Sequence, residues 1–177
     1  MNKMFLKDLN ILLTALIKVK SIRLAYATRD IKRSVIMQFK KFGDKYIIRM
    51  DKGEEIVETL KKFCEDEKIK LGFIKGIGAV NKAVVGVFDT NTKQYYSTDL
   101  NGVYEITSLL GNISTMNGEV YLHLHINLSN KEYITCGGHL NSAIISATGE
   151  IMIEVIEGNV DREFNEKIGL NLYRFNE

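Results

Sequence analysis

The feature that most constrains this chain is a long succession of β-type runs separated by short turn signals. The six runs between residues 72 and 156 are Gly72–Ile77, Ala83–Asp89, Gly102–Ile113, Val120–Leu128, Gly138–Ala147 and Ile151–Ile156. The turn signals between them are Asn91-Thr92, Asn101-Gly102, Asn117-Gly118 and Thr148-Gly149. This spacing is typical of antiparallel β-structure, in which short turns join neighbouring strands.

One helical pattern precedes these runs. After a short β-type run at Tyr46–Met50, apolar residues recur at helical spacing at Ile56, Val57, Leu60, Phe63 and Cys64. We expect Asp51 to cap this helix and the helix to end near Lys68. One main α-helix packed against a mostly antiparallel β-sheet is an α+β (α/β) arrangement.

The first 36 residues differ from the rest of the chain in charge. They hold eight basic and two acidic residues, whereas the remainder has more acids than bases. Apolar residues between Phe5 and Ile17 recur at helical spacing, so we interpret residues 1–36 as a basic amphipathic extension, or as an artefact of start assignment if Met37 is the biological start. We predict a domain over residues 37–157 and a C-terminal tail over residues 158–177. Any basic footprint for DNA phosphates would lie in the N-terminal segment.

Composition excludes several classes of protein. With 45% hydrophobic and 26% charged residues, the chain has an ordinary globular composition and is not a disordered or fibrous protein. Two cysteines, Cys64 and Cys136, are too few for a secreted disulfide scaffold, so we expect a cytoplasmic protein. No apolar run approaches the roughly 20 residues of a membrane span. Lys18, Lys20 and Arg23 interrupt the apolar core that an export signal requires.

The three histidines of the chain lie within seventeen residues of one another. In the alternating run Val120–Leu128, the leucines and Ile126 point to one side, and His123 and His125 point to the other. His139 follows Gly137-Gly138 and would arrive from the neighbouring strand if the two runs pair as a hairpin. The glycines would remove side chains that crowd an ion. Three histidine ligands with a fourth position open are typical of a catalytic or ligand-binding zinc site, although nickel, copper and iron also bind imidazole.

Simpler interpretations stay open for each of these features. The histidines could be ordinary surface residues, Cys136 could be an auxiliary ligand or a buried thiol, and Cys64 belongs to the core. Glu105 is a weak candidate for a catalytic acid or base and is otherwise a solvated carboxylate. The Gly76–Ala79 segment lacks the third glycine and the helix of a phosphate loop, so a tight bend close to a neighbouring strand explains it better. A bend or bulge is likewise the better explanation of Gly111–Ser114.

Several spaced motifs resemble the PPC (plants and prokaryotes conserved) domain over roughly residues 39–156. The matching elements are Gly53-Glu54-Glu55-Ile56, Gly76-Ile77-Gly78-Ala79-Val80, Gly86 with Phe88-Asp89, Glu105-Ile106 through Ser108-Leu109, Gly111-Asn112-Ile113-Ser114, His123-Leu124-His125 and Gly137-Gly138-His139-Leu140. The resemblance implies a compact α/β subunit that assembles as a homotrimer. For prokaryotic members it also implies a metal bound by the histidines that match His123, His125 and His139.

Plant members of the PPC family join the domain to AT-hook peptides that bind DNA. This chain has no proline and therefore no Arg-Gly-Arg-Pro hook. Its segment from Gly102 to Ile106, including Glu105, is similar to the plant partner-contact motif, but Val103 and Tyr104 replace the usual Arg and Phe. The resemblance therefore implies contacts with a regulatory protein or a further copy of the chain through Gly102, Glu105 and Ile106.

Two functions follow as alternatives. The first is a trimeric metal-binding module in which the open position receives a small ligand, with an enzymatic version in which the metal activates water and Glu105 acts as a general base. The second is a DNA-associated transcription regulator that uses the basic N-terminal segment, multiplied threefold in a trimer. A trimer is also favoured because the sheet needs cover for four apolar residues, Ile144, Ile145, Ile151 and Ile153.

Overall fold

The computed structural model describes residues 37–175, so the predictions for residues 1–36 lie outside the described range. In chain order the elements are β1 (Gln38–Phe42), β2 (Lys45–Asp51), α1 (Ile56–Asp66), β3 (Gly72–Asp89), β4 (Gln94–Met116), β5 (Glu119–Ser129), β6 (Thr135–Val155), β7 (Asp161–Asn165) and β8 (Leu170–Arg174). Most of the described chain is therefore β-strand, with one short helix.

The strands form one curled sheet. Its order is β1-β2-β6-β3-β4-β7-β8, and β5 pairs with both β4 and β6. Pairs between the described strands are antiparallel except at the contact of β4 with β7, where Thr115 pairs with Asp161 in parallel. Because β3, β4, β5 and β6 pair in a closed circuit, this part of the sheet curls into a barrel-like wall. The predicted helix and mostly antiparallel sheet are confirmed.

The strands are longer than the sequence pattern predicts. Asn101-Gly102 lies inside β4 and Thr148-Gly149 inside β6, so the two predicted turns at these positions are wrong. Shifts of register bend the long strands instead, for example between Gly76 and Gly78. The predicted turn at Asn117-Gly118 is confirmed, because both residues have positive φ, 54° and 84°, as a two-residue hairpin turn requires.

The glycine-rich segment of β3 is a bulge inside one strand, and the predicted bend between two strands is wrong. Gly78 has a φ of +151°, and a Cβ atom there would overlap the carbonyl oxygen of Thr148 on β6. The predicted close approach to a neighbouring strand is thus confirmed. Residues 111–114 lie in the interior of β4 and pair with residues 121–124 of β5 without a shift of register, so the predicted bend or bulge at this position is wrong.

Helix α1 packs on β5 and β6 and covers one side of the sheet. The residues that it buries are Ile56, Leu60, Phe63 and Cys64. These are four of the five positions of the predicted apolar stripe, and the assignment of Cys64 to the core is confirmed. Burial raises the pKa of the Cys64 thiol to about 12, so this side chain is a neutral thiol near neutral pH.

The start of α1 is fixed to β6 by a carboxylate. Glu55 is the N-cap, because its Oε2 accepts a hydrogen bond of 2.6 Å from the Glu58 N–H. Its Oε1 accepts a second hydrogen bond, of 2.8 Å, from the Ala143 N–H of β6. Asp51 is the last residue of β2, and the prediction that it caps the helix is wrong.

Apolar side chains divide between an inner side of the sheet, which faces α1, and an outer side. Three of the four residues expected to need cover from another subunit, Ile145, Ile151 and Ile153, are buried on the inner side by the chain itself, and Ile144 is half-buried. The expectation that they expose an apolar face is therefore wrong. The outer side carries a different apolar set.

The segment after residue 157, expected as a C-terminal tail, contains the hairpin of β7 and β8. This hairpin pairs with the end of β4. It also places the Arg162 side chain against β4 and β5, where it is 6% exposed. In the described part of the chain, no helix is long and apolar enough to cross a membrane.

Candidate metal centre

Strand β5 presents two histidines on the outer side of the sheet. Leu124, Ile126 and Leu128 are buried on the inner side, whereas His123 is half-buried and His125 is exposed on the outer side. The alternation predicted from the sequence is confirmed. Side chains two residues apart on a strand point in the same direction, so both imidazoles leave β5 together.

Strand β6 supplies the third histidine. Its first residues pair with β5, and His139 lies directly opposite His125. The other edge of β6 pairs with β3, where His139 lies opposite Gly86. The expected antiparallel pairing of the two histidine-bearing strands is therefore confirmed, and it places His139 beside the β5 histidines.

The three imidazoles form a nearly equilateral triangle. The ring centroids are 5.1 Å apart for His123 and His125, 5.2 Å for His123 and His139, and 5.6 Å for His125 and His139. One ring nitrogen from each residue lies within 4.8 Å of the corresponding nitrogens of the other two. This arrangement brings three ligand atoms to a common point.

The surroundings of the triangle favour neutral imidazoles. Burial lowers the pKa of His123 to about 4, with further lowering by His139, Arg162 and His125. Burial, followed by the charge of His125, also lowers the pKa of His139. Neutral imidazole is the form that coordinates a metal, so His123 and His139 are in the ligating form at neutral pH.

The two glycines before His139 allow strands to approach closely. A Cβ atom on Gly137 would overlap the carbonyl oxygen of Ile126 on β5, and one on Gly138 would lie 2.7 Å from the carbonyl oxygen of Gly86 on β3. The space that these glycines leave is therefore occupied by neighbouring backbone. They shape the site by letting β6 fit between β3 and β5, which differs from the expected clearing of space for an ion.

Tyr95 contacts the third histidine, and nothing in its local sequence indicates this contact. Its ring meets the His139 ring edge-on, with centroids 6.4 Å apart. Its hydroxyl lies where a Cβ atom on Gly86 would be and donates a hydrogen bond of 2.6 Å to Asn141 Oδ1. Tyr95 is 44 positions before His139 in the sequence and lies on another strand, so only the pairing of β4 with β3 could have revealed the contact.

A buried arginine contacts the residue that pairs with His123. The Arg162 Nη2 donates a hydrogen bond of 2.9 Å to Asn112 Oδ1, and Asn112 pairs directly with His123. Asn112 and Ser114 lie in the Gly111–Ser114 motif, but the segment around Arg162 has no sequence pattern that predicts burial. Arg162 and Asn112 are polar neighbours of the centre, and the sequence alone identifies neither as such.

Other candidate residues lie elsewhere. Glu105 is exposed and pairs with Ser129, four residues along β5 from His125, so roughly 13 Å of strand separates it from the histidines. Gly102 and Glu105 are exposed on β4. Ile106 is buried within the single chain, so its side chain is not available for contact with a partner. Cys136 is exposed, so the expectation of a buried thiol is wrong, and it does not belong to the group of potential ligands.

The donor set fits a divalent transition metal. Three imidazole nitrogens on the two paired strands β5 and β6 suit zinc, nickel, copper or iron. Magnesium and calcium prefer oxygen ligands. Three protein ligands also leave coordination free for a further group. The arrangement could therefore hold an ion and present it to a small ligand.

Comparison with protein families agrees with the resemblance found in the sequence. The model of the Plants and Prokaryotes Conserved (PCC) domain, the family called PPC above, matches residues 37–157. The chain belongs to this family. The matched region contains all three histidines of the PCC-domain chain, but it ends before Arg162.

Solved structures of PCC-like fold resemble the chain over most of its length. A candidate DNA-binding protein of Bacteroides thetaiotaomicron is 40% identical, with 78% of this chain and 97% of that chain covered and a TM-score of 0.77. A metal-containing protein of Archaeoglobus fulgidus is 31% identical, with coverage of 79% and 99% and a TM-score of 0.70. A PPC protein of Pyrococcus horikoshii is 32% identical, with coverage of 80% and 96% and a TM-score of 0.69. A search of curated proteins finds no match.

Replacing His123 and His125 together with alanine should abolish stoichiometric metal binding, because only one imidazole of the triangle remains. Elemental analysis of tag-free protein after reconstitution with zinc measures the outcome. The matched control is Asn127→Ala, two residues beyond His125 on the same side of β5, which should keep the wild-type metal content. Full occupancy in the double variant would refute the assignment.

Proposed function

We propose that this PCC-domain chain is a metal-binding module in which His123, His125 and His139 hold one divalent ion and leave a coordination position open for a small ligand. The observation that carries the proposal is the convergence of all three histidines of the chain on one point. They come from two different strands, and chance placement on the surface would not bring three ring nitrogens within 4.8 Å of one another.

Zinc is the proposed ion, and nickel, copper and iron are the alternatives with the same ligand preference. The metal-containing description of the Archaeoglobus fulgidus protein, which is 31% identical, supports a metal in this fold. When bound, such an ion supplies a Lewis acid at the open position. The chain contributes the rest: two half-buried imidazoles held neutral, and Tyr95 packed against His139 to limit its rotation.

The open position can be tested with cobalt(II) as a coloured substitute for zinc. Wild-type protein loaded with one cobalt per chain should absorb in the visible range, and added imidazole should change this spectrum as it enters the open position. Asn127→Ala should respond as the wild type does. A cobalt spectrum that does not respond to imidazole, thiocyanate or any other small ligand would indicate a closed structural site and contradict the proposal.

We further propose that the module is a homotrimer and that the outer side of the sheet forms its interface. Four apolar residues on this side, Ile47, Phe73, Ile77 and Leu110, are between 43% and 60% exposed. Three of them, Ile47, Ile77 and Leu110, line one groove of about 750 Å³. Apolar groups clustered on one face are favourable to bury against another copy of the chain.

Replacing Ile77 with lysine should dissociate the trimer, because a charge would then enter the centre of the proposed interface. Light scattering at micromolar concentration should give three times the 20.1 kDa chain mass for the wild type and a smaller mass for the variant. The control is Ile134→Lys, which changes an exposed isoleucine in the loop between β5 and β6 and should leave the protein trimeric. A monomeric wild type would contradict the trimer.

DNA binding is the second candidate function. The Bacteroides thetaiotaomicron protein, 40% identical, is described as a candidate DNA-binding protein. The eight basic residues among positions 1–36 are the part of this chain suited to phosphate contacts. If they bind DNA, a mobility-shift titration should show affinity that falls steeply as salt rises and disappears when residues 1–36 are deleted. Absence of binding at low salt, or binding unchanged by the deletion, would exclude this mechanism.

A further inference from the structure

Arg162 is a buried cation in the described part of the chain. Its side chain is 6% exposed. Its guanidinium lies over two aromatic rings, 4.9 Å from the centroid of Tyr121 and 4.3 Å from that of Tyr173. Both contacts are of the cation–π type and help to hold the charge in this position.

Three neutral groups accept hydrogen bonds from the guanidinium. Nε donates a hydrogen bond of 2.8 Å to Ser114 Oγ, Nη1 donates one of 2.8 Å to the Asn171 carbonyl oxygen, and Nη2 donates one of 2.9 Å to Asn112 Oδ1. Within residues 37–175, no carboxylate oxygen lies within 4.0 Å of the guanidinium. The acidic neighbour Asp161 pairs with Arg174 instead. Arg162 is thus a buried cation with no carboxylate partner among residues 37–175.

Burial of a charge without an opposite charge lowers the stability of the folded state, so a purely structural role for Arg162 would be unfavourable. The aromatic contacts could be made at a lower free-energy cost by a neutral residue, and the hydrogen bonds by an arginine that faces a carboxylate. An anion that binds nearby would offset this cost. The structure therefore raises the question of where such an anion would lie.

Asn112 connects Arg162 to the histidine triangle. It pairs directly with His123 across β4 and β5, and its side chain points to the same outer side of the sheet. Because Oδ1 accepts from Arg162, the Asn112 amide is fixed in one orientation, and its Nδ2 has no acceptor within hydrogen-bond distance among residues 37–175. The guanidinium also lies over the ring of Tyr121, which is two residues before His123 on the same side of β5.

We propose that Arg162, acting with the amide of Asn112, makes the open coordination position select an oxyanion, that is, a ligand that carries a carboxylate or phosphate group. The proposal rests on the metal-binding function proposed above. A negative ligand on the ion would lie in the field of an uncompensated buried cation, with the free Asn112 amide as a nearby hydrogen-bond donor. A neutral ligand would gain nothing from the Arg162 charge. Arg162 is a positioning and selectivity residue and need not touch the ion.

The test compares an anionic and a neutral probe on the same protein. Cobalt-loaded wild type is titrated with acetate, with inorganic phosphate and with imidazole, and dissociation constants are read from the visible spectrum. Arg162→Met should weaken acetate and phosphate at least about tenfold, or about 1.4 kcal/mol, and change imidazole by less than about twofold. Arg162→Lys should keep most of the anion affinity because it keeps the charge.

Two further variants separate this charge effect from damage to the hairpin. Arg174→Gln removes a charge from the same hairpin at an exposed position and should leave all three affinities unchanged. Asn112→Asp nearly preserves the shape but places a carboxylate on Arg162. It should weaken the anions while imidazole binding persists, even if Arg162→Met fails to fold by circular dichroism.

The outcomes distinguish this inference from the function beneath it. Loss of anion affinity with retained imidazole affinity in Arg162→Met or Asn112→Asp supports the oxyanion assignment. Equal losses for anions and imidazole in both variants, or no loss in either, overturns it while leaving the metal site intact. A wild type that binds no cobalt overturns the metal-binding function and the oxyanion assignment with it.

Discussion

The pairing of β6 with three neighbours is the constraint on which the site depends. This strand pairs with β2 and β3 along much of its length and with β5 at its start, so the four central strands close on themselves. The closure places His139 between Gly86 of β3 and His125 of β5. Glycines at 137 and 138 permit it, since a side chain at either position would meet the backbone of the adjacent strand. Without this closure, two histidines would stand alone on β5.

The same closure separates the chemistry from the core. Leucine and isoleucine side chains of β5 and β6 point inward to the helix, where burial of apolar surface stabilises the fold, and the histidines point outward. The core can therefore hold the strands rigid without contributing polar groups to the site. Half-burial is the largest cause of the lowered pKa values of His123 and His139, and neighbouring positive charges add to it.

Features coded by local periodicity were predictable from the sequence, and features coded by distant contacts were not. The alternation around His123 and the helical stripe through Leu60 gave the correct element types and faces. Turn signals misled at Thr148-Gly149, because there the glycine serves a close contact between long strands and not a reversal of the chain. Tyr95 and Arg162 reach the centre from strands far away in the sequence, and nothing in their local sequence distinguishes them from surface residues.

The register that joins the first and last residues of the circuit also bears on how the chain folds. Gly72 at the start of β3 pairs with Val155 at the end of β6, and 82 residues of chain lie between them. Contacts of such long range are formed late in folding, because closing so large a loop costs chain entropy before the strand pairing can stabilise the fold. During synthesis, one edge of β3 therefore stays without its partner until nearly the whole domain has emerged. Over that interval the unpaired edge is open to pairing with other chains, and slow release from the ribosome or assistance from a chaperone would protect it.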